Sequence, residues 1–167
     1  ASLGELDLVQ KMTYALSDFF RISLSKGRDF ILVEKEIQHI TDYLKILKIR
    51  YGETLDYKIE IDSTLYHYQM LKIILQPIVE NAIKHGLLRI KKGGTINLKT
   101  RREENQIVIE IIDDGAGFDV SAPVREGAIG ISNIKFRLEY MIKGKIEINS
   151  IPGNGTTVTI RMPYVVL

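Results

Sequence analysis

Cysteine is absent from all 167 residues, which excludes a disulfide framework and any cysteine-ligated zinc site. No apolar run approaches the ~18 residues of a membrane span, and no signal-peptide pattern is visible. An excess of one charge is also lacking. The net charge is +2, too small a balance to argue for nucleic acid or an anionic membrane surface as partner. There is no internal repeat and no low-complexity tract. At this length the chain fits one domain, or one domain with a small appendage, able to bury roughly two-thirds of its unfolded surface.

What is present begins with a helical stripe. Leu6, Val9, Met12, Leu16, Phe19 and Phe20 predict a helix to about Ser25, ended by Gly27. Ile37, Ile40, Leu44 and Leu47 predict a second helix from about Glu34 to Tyr51–Gly52. Together they read as a hairpin that packs on another surface, a second copy in a dimer being one option. His39 on the second helix reads as a solvated or interface residue, because no acidic residue adjoins it. From Thr54 the period changes to alternation, which predicts a half-buried strand through Tyr57, Ile59 and Ile61. A helix is then expected from about Tyr68 to Leu88. Strands are expected at 95–101 and 106–112, a mobile loop from Gly117 to Ala128, a helix from about Ser132 to Ile142, and strands at 145–149 and 156–162. Short turns between strands make the sheet antiparallel or mixed, with the two domain helices covering one face. The expected class is α+β, a two-layer α/β sandwich preceded by the helical hairpin. The expected division is a helical segment at 1–52 and a second domain at 53–167.

The most informative stretch is Leu75 to Gly86, LQPIVENAIKHG. Leu75, Ile78, Val79, Ala82 and Ile83 recur at helical spacing and would face a sheet. Asn81, Lys84 and His85 fall three and four apart on another face. An uncharged amide there suits a cation that takes oxygen ligands and keeps most of its shell as water and phosphate, as Mg²⁺ on ATP does. A plain reading stands beside it: Glu80 and Lys84 as a surface ion pair, His85–Gly86 as a helix end.

Three glycine-bearing turns follow. Asp113-Asp114-Gly115-Ala116-Gly117-Phe118 closes an apolar strand. Glycines there let a flat ligand approach the backbone, and a carboxylate can accept a hydrogen bond from an exocyclic amine such as that of adenine. A tight hairpin turn is the other reading. Gly127-Ala128-Ile129-Gly130-Ile131-Ser132-Asn133 opens a helix, where free N–H groups attract phosphate oxygens or a Ser or Asn simply caps. Gly153-Asn154-Gly155-Thr156-Thr157 is a hairpin turn whose hydroxyls stand available to a base.

Taken in this order, ENAIKHG, DDGAGF, GAIGISNI and PGNGTTVTI resemble the N, first glycine, second glycine and terminal Gly-Thr boxes of the histidine-kinase ATP-binding domain. That fold is shared with type II topoisomerases, the Hsp90 chaperones and MutL. VEKEIQHITDYLKILKIRYG, upstream, is similar to the LytS-type sensor kinase subfamily. The resemblance covers nearly the whole chain. It implies that Asn81 ligates Mg²⁺, that Lys84 and His85 approach the ATP phosphates, and that Glu80 orients or polarises the acceptor. It implies that Asp113 reads the adenine amino group, Gly115 and Gly117 shape that pocket, and Thr157 supports it. Gly127, Ile129, Gly130 and Ile131 are implied at the phosphates where the helix begins, with the loop before them as a lid.

The implied reaction moves the γ-phosphoryl group of ATP to a histidine nitrogen, for relay to an aspartate of a response regulator receiver domain. A homodimer and a membrane-anchored parent with this part in the cytoplasm are implied as well. The sequence departs from the pattern at Ala128 and Glu126, where glycines are usual. It also lacks the subfamily's Asn-Pro-His-Phe acceptor motif, so a fragment without its own acceptor is expected. Alternatives on the same fold are an ATPase switch, a serine kinase or a non-catalytic binding module. ATPase relatives carry a Glu four residues before the Asn, where this chain has Pro77.

Overall fold

The computed structural model describes residues 29–121 and 128–164, with the backbone alone considered at 128–130. The expected helix at 6–25, Gly27 and Gly127 lie outside the described residues.

Strand β1 (Phe30–Leu32) runs into helix α1 (Val33–Tyr51), then strands β2 (Leu55–Glu60) and β3 (Gln69–Leu71). Helix α2 (Leu75–Asn81), a π-helical turn (Ala82–Gly86) and a 3₁₀ turn (Leu87–Arg89) follow. Strands β4 (Gly94–Glu103) and β5 (Gln106–Asp113), helix α3 (Ala128–Ile142), and strands β6 (Lys145–Ser150) and β7 (Thr156–Pro163) complete the order.

The main sheet has the order β2-β4-β5-β7-β6. Its β2–β4 pair is parallel and its other pairs antiparallel, so the sheet is mixed. A parallel pair needs a long crossover, and the β2–β4 connection carries α2. Side chains alternate between the two faces. Ile107, Ile109 and Ile111 of β5, Val158, Ile160 and Met162 of β7, and Ile96 and Leu98 of β4 share one core with Ile37, Ile40 and Leu44 of α1, Ile78 and Val79 of α2, and Ile134 and Leu138 of α3. The opposite face is polar. There Arg101 pairs with Glu103 and Glu110 at 2.8 Å each. The result is the expected α+β two-layer arrangement with helices on one face.

Three expectations about elements change. The helix expected from Tyr68 begins at Leu75, because Gln69–Leu71 is instead a strand paired antiparallel with Phe30–Leu32. Between them Ile73 sits at φ 56, a left-handed conformation that breaks a helix and is costly for a β-branched residue. The helix expected from Ser132 begins at Ala128, so Ile129, Gly130 and Ile131 occupy its first turn. Finally, the apolar face of α1 is not its only buried face: Glu36 and His39 are 0 % and 1 % exposed. His39 is a buried residue, not a solvated one.

Candidate functional site

The buried row of β5 holds Ile107, Ile109 and Ile111, and the next position on the same face is Asp113. The sheet therefore ends its core with a carboxylate that is 5 % exposed. Asp113 lies opposite Ile96 on β4 and Thr156 on β7, and Thr156 in turn lies opposite Ser150 on β6. Gly115 N–H donates to Asp113 Oδ1 at 2.9 Å. Burial pushes the Asp113 carboxyl up to about 6, against the downward pull of the Gly115 and Thr156 backbone N–H groups; the neighbouring Asp114 adds to the rise. Asp114 itself is occupied elsewhere, accepting from Thr95 N–H at 2.7 Å.

The LQPIVENAIKHG segment ends against this carboxylate. A methyl group at Gly86 would lie 2.8 Å from Asp113 Oδ1, and one at Gly115 would lie 2.5 Å from Gly86 Cα. Only hydrogen fits at either place. Ala116 N–H donates to the Gly86 carbonyl at 3.1 Å, joining the two segments directly. The Gly153-Asn154-Gly155 turn reaches the same corner. Gly153 N–H donates to the Ala116 carbonyl at 2.7 Å, and Gly117 lies against the Ile151 carbonyl. Ser150 Oγ accepts from Phe118 N–H at 2.9 Å and bonds Thr156 Oγ1 at 2.9 Å. The segments around Gly86, Asp113 and Thr156 thus meet.

Asn81 is half-buried and is the last residue of α2 before the helix widens into its π turn. Such widenings re-aim side chains and are frequent at functional sites. Glu80 accepts from Gln76 Nε2 at 2.9 Å and from Tyr43 hydroxyl at 3.3 Å, and Lys84 Nζ stands 3.8 Å from its other oxygen. Burial, and then the Glu80 charge, raise the Tyr43 hydroxyl, so it stays protonated and donates. Lys84 is exposed, and His85 Nδ1 lies 3.4 Å from Arg89. The described contacts do not bring Lys84 or His85 to Asp113.

Thr157 is displaced from the place expected for it. It pairs with Ile112, and the two-residue period of a strand puts its side chain on the polar face. Thr156 is the threonine beside Asp113. Residues that sequence reasoning missed are Glu36, Tyr43, Gln76, Ser150 and Arg137, the last donating to the Lys72 carbonyl at 2.8 Å. Glu36 accepts from the N–H groups of Ile73, Ile74 and Leu75 at 2.8, 2.9 and 3.1 Å. Burial pushes its carboxyl up while these bonds and His39 pull it down. The available signal was a polar row, Glu36, His39 and Tyr43, recurring at helical spacing beside an apolar stripe.

The fold is that of histidine-kinase catalytic portions. The histidine kinase domain of the Erythrobacter litoralis blue-light activated kinase superposes with a TM-score of 0.61 at 13% identity, over 92% of this chain and 73% of that one. Residues 67–166 match the family described as histidine kinase-, DNA gyrase B- and HSP90-like ATPase, and the chain belongs to that family. Residues 2–55 match a second family, described as histidine kinase.

The sensor histidine kinase BtsS of Escherichia coli K12 is 34% identical over 89% of this chain and 27% of its own length. YesM of Bacillus subtilis, also a sensor histidine kinase, is 26% identical over 98% and 29%. The sensor protein LytS of Staphylococcus saprophyticus is 28% identical over 93% and 28%. The chain spans under a third of the length of these relatives. It fits the ATP-binding portion of a LytS-type sensor histidine kinase.

Proposed function

We propose that this chain binds ATP between the Asp113 corner and the start of α3 and transfers its γ-phosphoryl group to a histidine nitrogen. The reading rests above all on Asp113: a buried carboxylate at a strand end, enclosed by Gly86 and Gly115, where an aliphatic side chain would complete the core. A flat base fits where side chains are missing, and its exocyclic amine satisfies the carboxylate. Thr156 supports that carboxylate from β7. The first turn of α3 holds Ile129, Gly130 and Ile131, whose N–H groups have no partners within the helix and suit phosphate oxygens.

Among the described residues no group of three or more His, Cys, Asp or Glu side chains is placed to hold a metal ion. Asn81, half-buried at the end of α2, offers an amide oxygen, a donor that suits a Mg²⁺ carried mainly by phosphates and water. Bound there, Mg²⁺ would neutralise charge on the triphosphate. Lys84 supplies positive charge to the phosphates, and His85 a ring nitrogen for a hydrogen bond. Glu80, steadied by Tyr43 and Gln76, orients the accepting imidazole. Pro77 occupies the first turn of α2, one turn before Asn81, and cannot accept a proton from water. This favours transfer to a histidine over ATP hydrolysis.

The segment at 1–52 serves dimerisation, and a homodimer, a receiver domain as phosphate acceptor and a membrane-anchored parent complete the reading. Among the described residues no helix is long and apolar enough to cross a membrane. Incubation with γ-labelled ATP is expected to leave this chain unlabelled, since it has no acceptor motif and His39 is buried. Acid-labile label on His39 would contradict the reading.

A further inference from the structure

Helix α1 meets α2 along a seam that is polar where an apolar one would suffice. Glu36, His39 and Tyr43 lie three and four residues apart, on one face of α1. Each reaches α2 or its start, and the contacts advance together along both helices. Glu36 takes the N–H groups of residues 73–75, His39 Nε2 bonds Gln76 Oε1 at 3.1 Å, and Tyr43 donates to Glu80. Gln76 closes the row by donating to Glu80 at 2.9 Å.

We propose that α1 positions the Glu80–Asn81 pair of the nucleotide site, with Tyr43 and, through Gln76, His39 as its positioning residues. An apolar seam tolerates small slides at little cost, whereas directional hydrogen bonds between buried groups fix one register. The start of α2 shows the same dependence. It has no side-chain cap of its own; its first N–H groups end on the Glu36 carboxylate, which also holds Ile73 at its strained φ of 56. A shift of α1 along its axis therefore moves the start of α2, Gln76 and Glu80 as one body, and carries Asn81 with them.

This inference rests on Asn81 serving the nucleotide's metal. The test titrates the 167-residue chain with ATP, with and without Mg²⁺, and reads the ratio of the two affinities alongside the thermal midpoint without nucleotide. Wild type is expected to bind more tightly with Mg²⁺, and Asn81→Ala to bring the ratio close to one. Tyr43→Phe and Gln76→Leu, at residues that bond Glu80 and are assigned no contact with nucleotide in the proposed site, are expected to lower the ratio about two- to tenfold. Their midpoints are expected to stay within about 4 °C of wild type.

An unchanged ratio in either folded variant, with Asn81→Ala still sensitive, would reduce the seam to a structural role and overturn the proposal. Failure of both variants to fold would do the same. A wild type without metal-dependent ATP binding would instead refute the site itself, and the seam's role with it.

Discussion

The proposed function leans on Asp113 more than on any other single residue. Its place at the end of an apolar strand was legible in DDGAG; the face it takes came with the strand's two-residue period in the fold. Its partner was not. Thr156 and Thr157 stand side by side in sequence, and only the pairing register of β7 with β5 decides which one faces the carboxylate. Asp113→Asn keeps the shape but presents an amide in place of the carboxylate acceptor. It is expected to weaken ATP binding about 10- to 100-fold, as loss of a charged hydrogen bond does.

The pH dependence has a definite sign. Burial raises the Asp113 carboxyl from 3.8 to about 6, so the folded state binds a proton that the unfolded state releases. Its contribution to stability is fully present below pH ~4 and is lost as pH rises through about 6. Urea denaturation of wild type against Asp113→Asn across pH 4–7 is expected to show this loss in wild type only. Gly115→Ala would drive a methyl into the Gly86 backbone, and is expected to cost about 1–3 kcal/mol by overpacking, read from the same denaturation.

At the scale of elements, periodicity found α1, the long strands and the body of the last helix, missed that helix's first turn, and failed outright at the junction before α2. Leu71, Ile74, Leu75 and Ile78 continue a helical spacing back through residues that are not helical. Two distant contacts decide the matter: Phe30–Leu32 pairs with Gln69–Leu71, and Glu36 caps α2 from 37–39 residues away. A local reading looks for Ser, Thr, Asp or Asn before the helix and finds none, because the cap comes from another element. Glu36→Ala would leave three N–H groups unanswered, those of Ile74 and Leu75 buried and that of Ile73 partly so. It is expected to lower stability by about 2–5 kcal/mol in chemical denaturation, since each buried donor left unsatisfied costs about 1–3 kcal/mol. Glu36→Gln, which keeps one acceptor oxygen, is expected to lose less.

For the whole molecule, a mixed sheet lays its apolar face under the helices and ends that face at Asp113, where the segments from Gly86, Gly115 and Gly153 close together. Each turn alone has an ordinary explanation as a hairpin or a helix end; their order along the chain was legible, and their meeting point required the fold. The central claim is that this meeting point and Asn81 serve one ligand from its two ends. Calorimetric titration of ATP into wild type, Asn81→Ala and Asp113→Asn, each with and without Mg²⁺, tests it most directly. Asn81→Ala is expected to lose the Mg²⁺-dependent part of the affinity, and Asp113→Asn to weaken binding with and without the metal alike. Undiminished, metal-dependent ATP binding in both variants would contradict the claim.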